Sequence, residues 1–326
     1  MFLSQLFQLF ISSDLWHPAL QFGALLLLPA LGGVISERSG VVNIAMEGMM
    51  LTGAFFSAIL VLSTQNVIVA VLAAILTGGL MALVHAFFSI QFKANQIVSG
   101  VAINIAALGL TGFLLPLFTN GNGVSTLPRP LTLPALDIPG LSDIPFIGPV
   151  FLQQNVVFYI AIVVLLAMQY LLFHTNIGLR IRSVGEHPQA ADTAGINVRL
   201  IRYCCVVTSG LLSGLAGAFL ALGVDQIFNP NLTNGAGFIA LAAMIFGKWR
   251  PWGTALACLI FGLGEALQNR LNLLPTTGIG IIDTPLHSPS LVATVPYILT
   301  IVALVGLVGR ATAPAADGIP YEPGGE

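Results

Sequence analysis

Charge is what this sequence lacks most: Lys, Arg, Asp and Glu make up 7% of its 326 residues, against 56% hydrophobic. A water-soluble globular domain carries about 25% charged residues, so this chain cannot clothe a globule in water. Its 11 basic and 13 acidic residues leave a net charge of −2. Without a basic field to meet phosphates, no nucleic-acid partner is expected. Cysteine is nearly absent. Cys204, Cys205 and Cys258 all fall in apolar stretches and two are neighbours, a pattern that excludes a disulfide framework and suits small packing residues. A phosphate loop is missing too: Gly247-Lys248-Trp249 lacks both the earlier glycine and the hydroxyl residue. The five histidines are scattered without metal spacing, and no Ser-His-Asp set can be read from scattered polar residues. No catalytic residue, metal or cofactor is expected. If the protein works with ATP, another chain must bind it.

What the chain has is length without charge. Intervals 15–36, 48–92, 94–128, 144–179, 203–224 and 284–309 carry no Asp, Glu, Lys or Arg. A bilayer-spanning helix takes about 20 apolar residues, and the longest interval holds two. The expected fold is an all-α polytopic membrane protein. Apolar runs ended by charge, Pro or Gly give about nine crossings, at 17–35, 44–62, 67–90, 96–118, 155–174, 203–224, 236–247, 252–272 and 291–309. The run at 236–247 is too short to cross alone and reads as a half-helix, tolerated where protein or water covers its backbone.

Basic residues orient the chain. With the 175–202 loop in the cytosol, Arg38, Lys93, Arg180, Arg182, Arg199, Arg202, Lys248, Arg250 and Arg310 lie inside, and only Arg129 and Arg270 outside. The N-terminus then faces out and the C-terminus in. Residues 1–13 have no basic region before their apolar residues, unlike a cleaved signal peptide. Leu3, Leu6, Phe7 and Phe10 recur at helical spacing, as in an interfacial helix. Six prolines in 119–153 forbid a long helix and predict an ordered external loop on the helix ends. The tail 311–326, with three prolines and three glycines, reads as disordered and cytosolic.

Several polar groups stand out. Asn43 and Glu47 are four apart and share a helical face. An acid at the edge of an apolar run costs about 2–3 kcal/mol, depending on depth. Glu47 therefore caps a helix start, pairs with Arg38, lines a path or braces a broken helix. Asn95 precedes Gln96, Gly100 and Asn104, which lie at i, i+4 and i+8 as one polar or small stripe. Such amides act as interhelical glue or meet a polar solute, and Asn104 lies deepest. Small residues at 209–217 allow close helix packing. Glu265, with Gln268 and Asn269 on its side, meets Arg270 or lines the external mouth. In 175–202, Pro188 suits the first turn of a helix over 189–194 and Gly195 its stop. So short a helix needs a partner surface, and Arg180, Arg182, Glu186 and Asp192 frame it with charges.

Four stretches together carry a resemblance: Glu37-Arg38-Ser39-Gly40-Val41-Val42-Asn43-Ile44-Ala45-Met46-Glu47-Gly48 with the following Met-Met-Leu; Ala94 to Gly100 with Asn104; Ile138-Pro139-Gly140-Leu141-Ser142-Asp143-Ile144-Pro145; and the 175–195 loop. From about 20 to 310 the chain resembles the permeases of ATP-binding-cassette importers for ribose-type sugars and branched-chain amino acids, most of all the shorter permease of bacterial nucleoside importers. That resemblance implies a coupling helix within 183–197 and broken helices near the pathway. The implied partners are a second, longer permease, a cytosolic ATPase subunit with two nucleotide sites, an extracytoplasmic solute-binding lipoprotein and membrane lipid. The implied site is the cytoplasmic (inner) membrane of a bacterium. The stretch Gly247-Lys248-Trp249-Arg250-Pro251-Trp252-Gly253 departs from the Gly-rich turn of sugar and amino acid relatives. Two rivals stay open: the same machine with a sugar or amino acid as cargo, and an ion-driven secondary transporter using Glu47 or Glu265.

Overall fold

Lipid offers no hydrogen bonds, so a backbone inside it closes its own as helices. The computed structural model describes residues 8–119, 121, 125–128, 131–136, 140, 142–271 and 311–322, with the single positions 288, 294 and 298. Its helices are α1 (Ser13–Arg38), α2 (Met46–Thr64), α3 (Val67–Ala86), α4 (Gln96–Phe118), α5 (Val156–His174), α6 (Asn176–Glu186), α7 (Pro188–Thr193), α8 (Val198–Phe219), α9 (Ala236–Phe246) and α10 (Pro251–Leu271). Helices α3 and α8 run on into π-helical turns, Phe87–Gln91 and Leu220–Val224. Six of them are long and apolar enough to cross a membrane: α1, α2, α3, α4, α5 and α8. The chain is an all-α, multi-pass membrane protein.

Helix starts are marked by side chains that take up the first free N–H groups. Asn66 accepts from Ile68 and Val69, Asn95 from Ile97 and Val98, Asn155 from Phe158, Thr175 from Gly178, and Asn197 from Leu200. Each cap contributes about 1 kcal/mol. The crossings expected at 17–35, 44–62, 67–90, 96–118, 155–174 and 203–224 recur at their places, while 236–247 and 252–272 recur as helices α9 and α10 that are not among the six. The crossing at 291–309 and the amphipathic positions Leu3, Leu6 and Phe7 lie outside the described residues.

The helices form an inner and an outer set. The most apolar windows of α1, α2 and α8 are 83%, 72% and 78% buried, while those of α3, α4 and α5 are 28%, 22% and 33% buried. The inner set is the core, and the outer set turns apolar faces to lipid or to another subunit. Small residues bring α3, α2 and α8 together. A Cβ on Gly78 would strike the Gly210 carbonyl and Gly214, and one on Gly217 would strike the Met50 carbonyl. This is the close packing expected from the small residues of 209–217.

At one end, the described part of the Pro-rich loop is tied down by backbone bonds. Two-residue strands β1 (Ser125–Thr126) and β2 (Ile227–Phe228) pair antiparallel, Leu133 N–H donates to the Leu222 carbonyl, and Leu136 N–H to Gln154. Gln154 Nε2 in turn donates to the His17 carbonyl at 3.0 Å. The opposite end gathers Arg38, Lys93, Arg202, Lys248 and the 175–202 segment. There the expectation of a disordered tail is overturned for 311–322. Ala316 N–H donates to the Gly185 carbonyl at 2.9 Å, Arg202 Nη1 to the Ile319 carbonyl at 3.0 Å, and the Tyr321 ring is buried with Val184, Ala191 and Val198. Prolines and glycines bar a helix, but turns at 315–318, closed by Asp317 N–H on the Pro314 carbonyl and Ile319 N–H on the Ala316 carbonyl, together with outside donors and acceptors need none.

Candidate functional site

After α1 the chain turns back into the protein instead of crossing into α2 at the boundary. Gly40 makes the turn with φ of +87°. Arg202 Nε donates to the Ser39 carbonyl at 3.1 Å, and Asn43 Nδ2 donates to Ser209 Oγ at 2.8 Å. Arg202 and Ser209 sit seven residues apart on α8, about 10 Å at 1.5 Å per residue. Residues 39–45 therefore sink about that far into the helical layer without being helical. Backbone at that depth has to be satisfied by protein.

Side chains of three helices, α3, α4 and α8, and of the segment itself do so. Val42 N–H donates to Gln96 Oε1 at 2.7 Å, and the Val42 carbonyl meets His85 Nε2 at 3.0 Å. A carbonyl only accepts, so His85 carries its proton on Nε2 while Nδ1 faces Ser99 Oγ at 3.1 Å. Asn43 Oδ1 accepts from Ala45 N–H at 3.1 Å. Asn104 works in both directions, accepting from Gly48 N–H at 2.8 Å and donating to the Ile44 carbonyl at 3.0 Å. Gly100 makes room, since a Cβ there would come within 3.1 Å of Ala45 N.

Glu47 holds a second break. Its Oε1 accepts from Thr233 Oγ1 at 2.6 Å and Gly235 N–H at 2.9 Å, and its Oε2 from Gly237 N–H at 2.7 Å. Those donors are the start of α9, where free N–H groups and the helix dipole favour a carboxylate. Eleven residues long, α9 rises about 16 Å, half of a roughly 30 Å hydrocarbon core. It ends at a turn where Trp249 Nε1 donates to Glu37 Oε2 at 2.6 Å and Arg38 Nε donates to the Trp249 carbonyl at 2.9 Å. Arg38 is thus not the partner of Glu47, and the start of α2 lies deeper than a boundary position.

Beyond the Glu47 brace, on the side away from the basic end, is a cavity of about 170 Å³ lined by Phe22, Asp225, Thr233, Asn234, Ile239 and Glu265 among others. Burial pushes the Asp225 carboxyl above the usual carboxylate range. Arg270 is turned away, its Nε donating to the Asp14 carbonyl at 3.0 Å. The pairing of Glu265 with Arg270 is therefore not made, and Glu265 lines a space instead.

The basic end presents α6 and α7. Pro188 and Ala191 are buried while Gln189, Ala190, Asp192 and Thr193 are exposed, so α7 shows one face outward. Gly195, at φ of +82°, ends the turn. Arg180 is exposed, Arg182 lies over the Phe173 ring at 5.2 Å, and Glu186 Oε2 accepts from Ala315 N–H at 3.2 Å. Gly185 presses against the Arg38 carbonyl with no room for a Cβ, so α6 rests on the end of α1.

Of the polar residues singled out in the sequence, Asn43, Gln96 and Asn104 meet around 39–48, and Glu47 joins that region to α9. Asn95 stands apart as the cap of α4, and Glu265 lies in the cavity. Sequence reading misses His85, Ser209, Thr233, Asp225, Trp249 and Arg202. Arg202 had a signal, being a cation at the start of an uncharged run, and so did Trp249, in the stretch that departs from the usual turn. The rest are single polar residues without a pattern.

The family model described as "Branched-chain amino acid transport system / permease component" matches residues 19–304. The guanosine ABC transporter permease protein NupQ of Bacillus subtilis is 46% identical over 311 residues, 93% of this chain and 94% of its own. The nucleoside ABC transporter permease protein NupC of Lactococcus lactis is 40% identical, covering 91% of this chain and 92% of its own. A second B. subtilis guanosine permease protein, NupP, is 23% identical over 73% of this chain and 69% of its own. No solved structure matches.

Proposed function

The chain belongs to the permease-component family of branched-chain amino acid transport systems, and on that premise we propose that it is the shorter permease of an ATP-driven importer passing nucleosides across the cytoplasmic membrane. It forms half of the path, a second, longer permease forms the other half, and a lipoprotein outside delivers the cargo. ATP is hydrolysed by a separate subunit, and the permease performs no covalent chemistry.

The observation that carries this reading is the exposed face of α7 at the basic end, on a base that rests against α1 through Gly185 and Arg38. The inner side of so short a helix is held by Val184, Val198 and Tyr321, which leaves its outer face to meet a partner. Motor binding there biases an equilibrium between two packings, and a few kcal/mol of differential binding is enough. Arg180, Arg182, Glu186, Pro188 and Asp192 form the grip. Asn43, Glu47, Gln96 and Asn104 hold the broken segments that border the path, and Glu265 lines the cavity along it. Both Glu47 oxygens are occupied by three donors, which speaks against an exchangeable ion site. The test is uptake of labelled guanosine into vesicles carrying the complete complex. ATP-dependent uptake, competed by nucleosides and unaffected by collapsing ion gradients, is expected. Uptake driven by the gradient alone would replace this reading with secondary transport, and competition only by glucose or leucine would change the cargo.

A further inference from the structure

At the basic end, residues 311–322 touch α6, α7, α8, the end of α1 and Lys93. Ala315 N–H donates to Glu186 of α6 and Ala316 N–H to the Gly185 carbonyl. The Ala316 carbonyl lies beside Gly40, where a Cβ would come within 3.0 Å. Asp317 faces Glu37 of α1 and Arg202 of α8. Arg202 is fully buried and bridges the Ser39 and Ile319 carbonyls at 3.1 and 3.0 Å. Tyr321 packs on Val184, Ala191 of α7 and Val198, and Glu322 meets Lys93 at 2.6 Å. Tyr321 is also one wall of an open cleft of about 410 Å³ shared with Asp192, Asn197 and Arg199.

We propose that residues 311–322 are a strap that completes the motor-docking surface and carries motion from α7 to α1 and α8. This rests on the importer reading and names a further element of its grip. The contacts of α7 with the membrane helices are few because it is six residues long. Through Ala191 and Tyr321 it gains a second route, along the strap to Arg202 and from there to the Ser39 carbonyl at the head of the 39–45 segment. An ATPase subunit seated on the exposed face of α7 reaches the neighbouring cleft, whose rim mixes Asp192, Arg199 and the Tyr321 edge, and so presses on the strap as well.

The experiment uses the complete complex in vesicles, with wild type, a chain lacking 311–326, Tyr321→Ala and Asp317→Lys, and reads cargo taken up per ATP hydrolysed. Coupling between sites is commonly 5–150-fold. In all three variants the cargo taken up per ATP hydrolysed is expected to fall about tenfold. An unchanged ratio in Tyr321→Ala and Asp317→Lys overturns the strap, whether or not the truncated chain assembles. Absence of any ATP-dependent uptake in the wild type sinks the importer reading itself, a result distinct from loss in the variants alone.

Discussion

The Glu47 carboxylate accepts the Gly237 backbone N–H at 2.7 Å, 190 positions away in sequence, and so joins the first turn of α2 to the first turn of the half-helix α9. With Thr233 and Gly235 on the other oxygen, one side chain serves three donors at a depth where water is scarce.

Glu47→Gln keeps the size but turns one acceptor into a donor facing a buried N–H. Leaving such a group unpaired costs about 1–3 kcal/mol. The variant complex should unfold at a lower temperature and take up less cargo. Equal thermal stability would show that the brace contributes nothing.

Asn104→Leu removes the two hydrogen bonds that pin Ile44 and Gly48. Uptake should fall while the subunit still inserts and assembles, because α4 itself needs no polar group to form. Unchanged transport kinetics would reduce Asn104 to a packing residue.

Gly78→Val places a branched side chain against the Gly210 carbonyl and Gly214. Overpacking costs about 1–3 kcal/mol, and here the obstacle is backbone. Reduced assembled complex in membranes is expected, measured by quantitative blotting of purified complex. Wild-type amounts would mean that α3 and α8 are free to part.

Glu186→Ala combined with Arg182→Ala removes the acceptor of the Ala315 N–H and the cation over Phe173. ATP hydrolysis should continue with reduced uptake. Normal uptake would count against the 175–202 segment as the grip.

The strap should respond to pH. Burial pushes the Asp317 carboxyl from 3.8 up to about 7, although the Glu37 hydrogen bond, the Arg202 guanidinium and the Gly318 N–H pull it down. The packed strap thus holds the proton more tightly than a released one. Its stability is full below about 4, declines as pH rises, and is lowest above about 7. The titratable Glu37 from α1 and the Arg202 guanidinium from α8 are the groups facing it. Hydrogen exchange at 315–319, corrected for intrinsic rates, should therefore show weaker protection at pH 8 than at pH 6, and Asp317→Asn should flatten the difference. Protection that grows with pH in the wild type would reverse the sign and refute the account.

Helices α1 to α5 and α8 are legible in the sequence because uncharged runs in lipid have one stable form. The half-helix was legible from its length, and α7 from Pro188 and Gly195. The depth of 39–45 was not: Asn43 and Glu47 read as one face of a helix, whereas the helix begins only at Met46, and only His85, Asn104 and Ser209, on three separate helices, reveal where the segment lies. The ordered strap was illegible for a related reason. Its partners Glu37, Gly185 and Arg202 are far away in the chain, and Pro- and Gly-rich composition describes only what the segment cannot do alone.

In the importer reading a separate motor grips this subunit through α7, and cysteine cross-linking probes that grip. In a chain with Cys204, Cys205 and Cys258 replaced, Gln189→Cys or Ala190→Cys puts a thiol on the exposed face. Labelling is expected only from the cytosolic side, with a cross-link to the ATPase subunit that forms in the assembled complex. Labelling from the outside, or thiols that stay free while the complex hydrolyses ATP and transports normally, would contradict it.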